Sequence, residues 1–142
     1  AIQHVVMIEP KDAKQTISSV HLHPPNIVAA MYAGWELKEM VAPFPEVFRY
    51  PRVGPNGAAW DALSKDLARH TASNLGVVDG IRKFDIVGQK NHGVTAVGKD
   101  PWEAFEHIER VEHICQIVLA SGVQPPEKKN GKPKKWSPFF LL

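Results

Sequence analysis

Three histidines carry the clearest chemical potential in this sequence. His21 and His23 stand two residues apart in Ser18-Ser19-Val20-His21-Leu22-His23-Pro24-Pro25. In extended backbone, residues i and i+2 project to the same face, so both imidazoles can approach one metal ion from one side. A third histidine would complete the protein half of a catalytic zinc site, which keeps a fourth position open for water or substrate. His92, in Lys90-Asn91-His92-Gly93-Val94, is the candidate. Ile17, Val20, Pro24 and the apolar stretch 27–33 surround the His-x-His pair. That setting argues against two freely solvated rings. Ligation would satisfy one nitrogen of each ring and leave the other for a backbone or carboxylate partner. Spacing alone leaves open both a metal site and ordinary polar alternation on a strand face, and it does not fix the third ligand.

These residues need elements to position them. The apolar residues 1–8 fit a helix end or a strand equally, and 9–14 reads as a loop. Residues 17–23 predict a strand that Pro24-Pro25 stops by removing two ladder donors. The next stretch predicts a short buried helix over 25–33, with Pro25 in its first turn and Gly34 ending it, and a further turn over 35–40. Residues 43–55 hold four prolines and so predict an irregular loop, with a short edge strand at 47–50. Trp60, Leu63, Leu67 and Ala68 recur at helical spacing and predict a helix over 57–75. Strands are expected at 84–90 and 94–98 around the turn Asn91-His92-Gly93, which places His92 at a strand end like His21 and His23. Asp100 as N-cap and Pro101 at the first position open a helix that runs to Ser121 and stops at Gly122.

The other four histidines read as structural. His4 has no partner pattern, His70 lies near a helix end, and His107 and His113 are six residues apart on one helix and do not share a face. Composition bounds the rest. A chain of 142 residues, 44% apolar and 23% charged, can bury one ordinary core. The formal net charge of +2 by itself says nothing about partners; the basic run from Lys128 to Lys135 reads as a solvated terminus, and no nucleic-acid partner is expected. A single cysteine forms no internal disulfide, so a reducing cytoplasm is expected, and no apolar run is long enough for a membrane helix. Residues 1–122 are expected to form the domain and 123–142 a basic tail whose apolar end, Trp136 to Leu142, docks on this or a neighbouring subunit.

Val20-His21-Leu22-His23-Pro24, then Lys90-Asn91-His92-Gly93-Val94, then a helix beginning Trp102-Glu103-Ala104-Phe105 together resemble the class II aldolase/adducin family across roughly residues 10–122. The resemblance implies an α/β fold, a three-layer α/β/α sandwich around a mainly antiparallel sheet, assembled as a homotetramer. It implies a divalent metal, Zn2+ or another such as Mn2+ or Co2+, on His21, His23 and His92. It implies a lyase of aldolase type in carbohydrate metabolism, cleaving or forming a carbon–carbon bond in a small sugar phosphate through a metal-stabilised enediolate. Epimerase, dehydratase, decarboxylase and a non-catalytic adducin-like binding subunit are the same-fold alternatives. Family enzymes carry a Gly/Asn/Ser phosphate loop and a Glu upstream of the His-x-His strand. Those positions would precede Ala1, so the chain is expected to match the C-terminal two-thirds of such an enzyme. The acid/base residue is left unassigned; Tyr50 and Tyr32 are possibilities only, with plain packing the competing reading.

Overall fold

A computed structural model describes residues 17–79 and 81–127. The expectations for residues 1–14 and for the tail from 128 onward lie outside the described residues.

Three strands form one antiparallel sheet in the order β1-β3-β2: β1 is Ser18–Leu22, β2 Ile86–Gln89 and β3 Gly93–Gly98. Strand alternation sends side chains to two faces. Val20, Ala96 and Ile86 meet in one cross-strand row, and His21, Thr95 and Val87 meet in the next, on the opposite face. The first face packs on helix α1 (Pro25–Ala33), α2 (Leu37–Val41) and α4 (Pro101–Ser121), in a core that includes Ile27, Met31, Leu37, Ile108, Val111 and Cys115. The second face packs Val87 and Val97 on Leu75 and Ala72 at the end of α3 (Lys65–Asn74). Helices on both faces make three layers around an antiparallel sheet, in agreement with the expected sandwich.

The helix ends follow from local chemistry. Asp100 accepts from Glu103 N–H at 2.8 Å and opens α4, with Pro101 at its first position. Gly34 and Gly122 close α1 and α4 with φ of 104° and 76°, values open to glycine at no steric cost. The N-terminus of α1 follows Pro24, which offers no side-chain cap; the carboxylate of Glu112 on α4 takes that role, accepting from the N–H groups of Asn26 and Ile27. Because Pro24 follows His23, this bond also fixes where β1 gives way to α1.

Two expectations are corrected. Residues 47–50 form no strand: Pro45–Val47 is a 3-10 turn, and the edge contact comes later, where Val53 and Gly57 bridge Ile86 and Gln89 in parallel. A Cβ on Gly57 would lie 2.6 Å from Asn74 Nδ2, so a larger residue there would have to displace the Asn74 side chain. The helix expected over 57–75 begins only at Lys65. Gly57 is committed to Gly88 through a 2.8 Å backbone bond, Leu63 turns to φ 63°, and Ser64 starts the helix by accepting from Leu67 N–H. Trp60 therefore lies outside the helix, stacked on His70 with ring centroids 4.3 Å apart. The helical spacing of Trp60 and Leu63 with Leu67 was coincidental. The turn expected over 35–40 is the short helix α2, and the strand expected over 84–90 is trimmed to 86–89.

Candidate metal centre

His21 lies near the end of β1 and projects, with Thr95 and Val87, to the α3 side of the sheet. His23 follows the last strand residue, just before the proline pair. His92 belongs to the turn between β2 and β3, where its N–H donates to the Gln89 carbonyl at 2.9 Å and Asn91 takes φ 58°. Asparagine is one of the few side chains that tolerates this left-handed value. Gly93 brings the two segments together. A Cβ there would collide with the Leu22 carbonyl and lie 2.7 Å from the His23 ring, so only glycine lets β3 pass this close to the end of β1.

The result brings together the three histidines that the sequence singled out. One nitrogen from each of His21, His23 and His92 falls within 4.8 Å of the others. Ring centroids are separated by 4.8 Å for His21–His23, 4.9 Å for His21–His92 and 4.8 Å for His23–His92. Nε2 of His21 and Nε2 of His23 are 2.9 Å apart. Tetrahedral zinc with bonds of about 2.0–2.1 Å would hold its ligand nitrogens about 3.3–3.4 Å apart, so the observed cluster needs only small side-chain adjustments to accept it. His21 Nδ1 lies 3.3 Å from Thr95 Oγ1, so a hydroxyl already stands behind this ring and can set its orientation.

The electrostatics suit neutral, lone-pair-presenting imidazoles. Burial, then the charges of His92 and His23, push the pKa of His21 down, against an opposing hydrogen bond with the Val94 backbone. Burial followed by His23 also lowers His92. His21 and His92 are thus biased to neutral imidazole, which is the metal-binding form. The group fits a divalent cation.

Among the described residues, His70 and His107 stay apart from the cluster. His70 is engaged with Trp60. His107 is buried on α4 beneath the Tyr50 ring, at a centroid distance of 6.3 Å and an interplanar angle of 15°. Burial is the leading cause that lowers its pKa, ahead of the opposing charges of Asp85 and Glu103. Tyr50 and Tyr32 are largely exposed. Sequence reading missed the supports: Gly93, whose sole signal was its place after His92, and Thr95, whose signal was the two-residue alternation that turns it to the face of His21.

Comparison with known proteins bears on the family and the fold. The sequence model of the class II aldolase and adducin N-terminal domain matches residues 11–119. No curated protein matches the chain. Among solved structures, a sugar-phosphate aldolase from Thermotoga maritima is 27% identical, with TM-score 0.69, covering 87% of this chain and 55% of its own. An L-fuculose-1-phosphate aldolase from Thermus thermophilus is 24% identical with TM-score 0.54, covering 72% and 51%. YgbL from Escherichia coli, described as a candidate aldolase/epimerase/decarboxylase, is 17% identical with TM-score 0.60, covering 89% and 58%. The last two bear on fold alone. The chain thus spans about half the length of these structures. Over residues 11–119, with its antiparallel sheet and flanking helices, the chain belongs to the class II aldolase and adducin family.

Proposed function

We propose that this chain is part of a metal-dependent lyase of aldolase type, acting on a carbon–carbon bond in a small phosphorylated sugar. One observation carries the reading: three imidazole nitrogens from two separated segments converge within 4.8 Å. His21, His23 and His92 would hold the cation, with zinc the first choice for an all-nitrogen set and manganese or cobalt as other divalent options. When bound, such an ion supplies Lewis-acid stabilisation of negative charge developing on substrate oxygen. The chain's own residues do the rest of the work assigned here. Thr95 orients His21, Gly93 keeps the His23 ring against the turn that bears His92, and the Glu112 cap holds the segment after His23. Epimerisation, dehydration and decarboxylation of related substrates share the need for a stabilised anion, and the three ligands do not select among them. Assembly into a homotetramer and a cytoplasmic location belong to the same proposal. Among the described residues no helix is long and apolar enough to cross a membrane.

Calorimetric titration of the metal-stripped protein with zinc tests the site. One equivalent is expected per chain, and zinc at 100 times its Kd should raise stability by about 2.7 kcal/mol. His92→Ala should abolish both effects. A wild-type protein that takes up neither zinc nor manganese would remove the enzymatic reading. Aldehyde release from a panel of ketose 1-phosphates then separates cleavage from the other reactions; turnover without aldehyde would point to the same-fold alternatives.

A further inference from the structure

The buried face behind the metal centre carries a second polar group, and its direction can be worked out. Thr71 on α3 donates its hydroxyl to the Leu67 carbonyl at 2.7 Å. Its oxygen therefore accepts from Gln89, whose Nε2 lies 2.8 Å away. This fixes which end of the Gln89 amide is nitrogen and leaves Oε1 as an acceptor. Gln89 and Thr71 are each only 2% exposed, and Gln89 Oε1 is buried without a hydrogen-bond partner. An unsatisfied buried acceptor costs about 1–3 kcal/mol, so its retention needs a reason.

A donor of the right kind stands on the diagonal. The register pairs Val87 with Thr95 and Gln89 with Gly93, which makes Gln89 and Thr95 diagonal neighbours on one sheet face. Such residues lie about 7–8 Å apart, within reach of a long side chain, and Gly93 puts no side chain between them. Thr95 is fully buried and faces His21 across the β1–β3 ladder. For His21 to present Nε2 to a metal, its Nδ1 must carry the proton; Thr95 Oγ1, 3.3 Å away, is the side-chain acceptor in reach, and the Val94 backbone competes with it. The Thr95 hydroxyl proton is then available to a different acceptor.

We propose that Thr95 and Gln89 are positioning residues of a directed relay that fixes the His21 ring. Nδ1–H of His21 donates to Thr95, the Thr95 hydroxyl to Gln89 Oε1, Gln89 Nε2 to Thr71, and Thr71 to the Leu67 carbonyl. The relay requires the Gln89 side chain to turn its Oε1, which has no partner in this structure, onto the Thr95 hydroxyl. In this arrangement α3 supplies no ligand yet decides the tautomer of one. The proposal rests on His21 being a ligand, but the tautomer itself is a property of the metal-free chain.

Nitrogen-15 spectra of the histidines in the metal-free protein, together with zinc calorimetry, test the relay. Wild type should show His21 as the Nδ1–H tautomer. Thr95→Val, close in shape, should lose that fixed tautomer and weaken zinc binding about 10- to 100-fold. Thr95→Ser should restore both. Gln89→Met should weaken zinc binding in the same direction and lower the thermal midpoint, because it leaves the buried Thr95 hydroxyl without an acceptor and removes the bond to Thr71. A Thr95→Val protein with the wild-type tautomer and zinc Kd would overturn the relay and leave the ring to its Val94 backbone contact. If wild type binds no zinc but the tautomer still answers to Thr95→Val, the ligand reading falls and the relay stands.

Discussion

The carboxylate of Glu112 closes the N-terminus of α1 by accepting from Asn26. Its Oε1 takes the Asn26 backbone N–H at 3.0 Å and the Asn26 side-chain amide at 2.7 Å, while Oε2 takes the Ile27 N–H at 2.9 Å. A negative charge set against the positive end of a helix macrodipole is favourable as well as hydrogen-bonded. Glu112→Ala should lower stability by about 2–3 kcal/mol, and Glu112→Gln, which keeps one acceptor, should lose less. Urea unfolding midpoints of the three proteins check the order. Equal midpoints would mean that solvent caps α1 just as well.

Gly93 predicts a coupled loss of fold and site. A methyl group there would meet the Leu22 carbonyl and the His23 ring, both parts of the strand end that carries two of the three histidines. Gly93→Ala should cost about 1–3 kcal/mol through overpacking and should also weaken zinc affinity, since β1 and the His92 turn can no longer close together. Gly122→Ala is the control. It too strains a left-handed position, with φ 76°, but a Cβ there meets nothing within 4 Å. It should lower stability and leave zinc binding unchanged.

Asp85 predicts an acid limb in the stability profile. Burial alone would raise its pKa, but hydrogen bonds from the Arg52 side chain and backbone, with the charges of Arg52 and Arg82, override it and lower the value. Arg52 grips both carboxylate oxygens at 2.8–2.9 Å. A carboxylate held below its unfolded value of about 3.9 contributes stability that is fully present above that pH. The contribution is lost as pH falls through the depressed folded value. Asp85→Asn should cost about 2–3 kcal/mol at pH 7 and should flatten the unfolding free energy below about pH 4, the unfolded carboxylate value. An unchanged acid slope in the variant would assign the limb to other carboxylates.

Cys115 should be chemically silent. It is fully buried on α4, and burial followed by the nearby Glu112 charge pushes its thiol up to about 12. A disulfide exchange reagent at about pH 8 should titrate no thiol in the native protein and one in urea. Reaction under native conditions would show that α4 opens locally from the core.

His21 and His23 could be paired from sequence because the strand period is two, a local property that the chain declares by itself. The proline pair after them, the Asp100–Pro101 start and the Gly34 and Gly122 stops were legible for the same reason: each is set by backbone chemistry within a few residues. The helix expected over 57–75 failed because periodicity cannot register a competing partner. Gly57 spends its N–H on Gly88, far away in sequence, and helix formation gives way until Ser64 supplies a cap.

Sequence by itself therefore determined the residue types of the site, the local elements that bear them and the family pattern to which they belong. Only the tertiary structure decided that His92 closes on the His21–His23 pair within 4.8 Å, that Thr95 stands behind one ring, and that Glu112 caps a helix 86 residues before it. The physical reason is range. Strand alternation and helix capping act between neighbours in the chain, whereas the approach of β1 to the His92 turn depends on cross-strand register and on one missing side chain at Gly93.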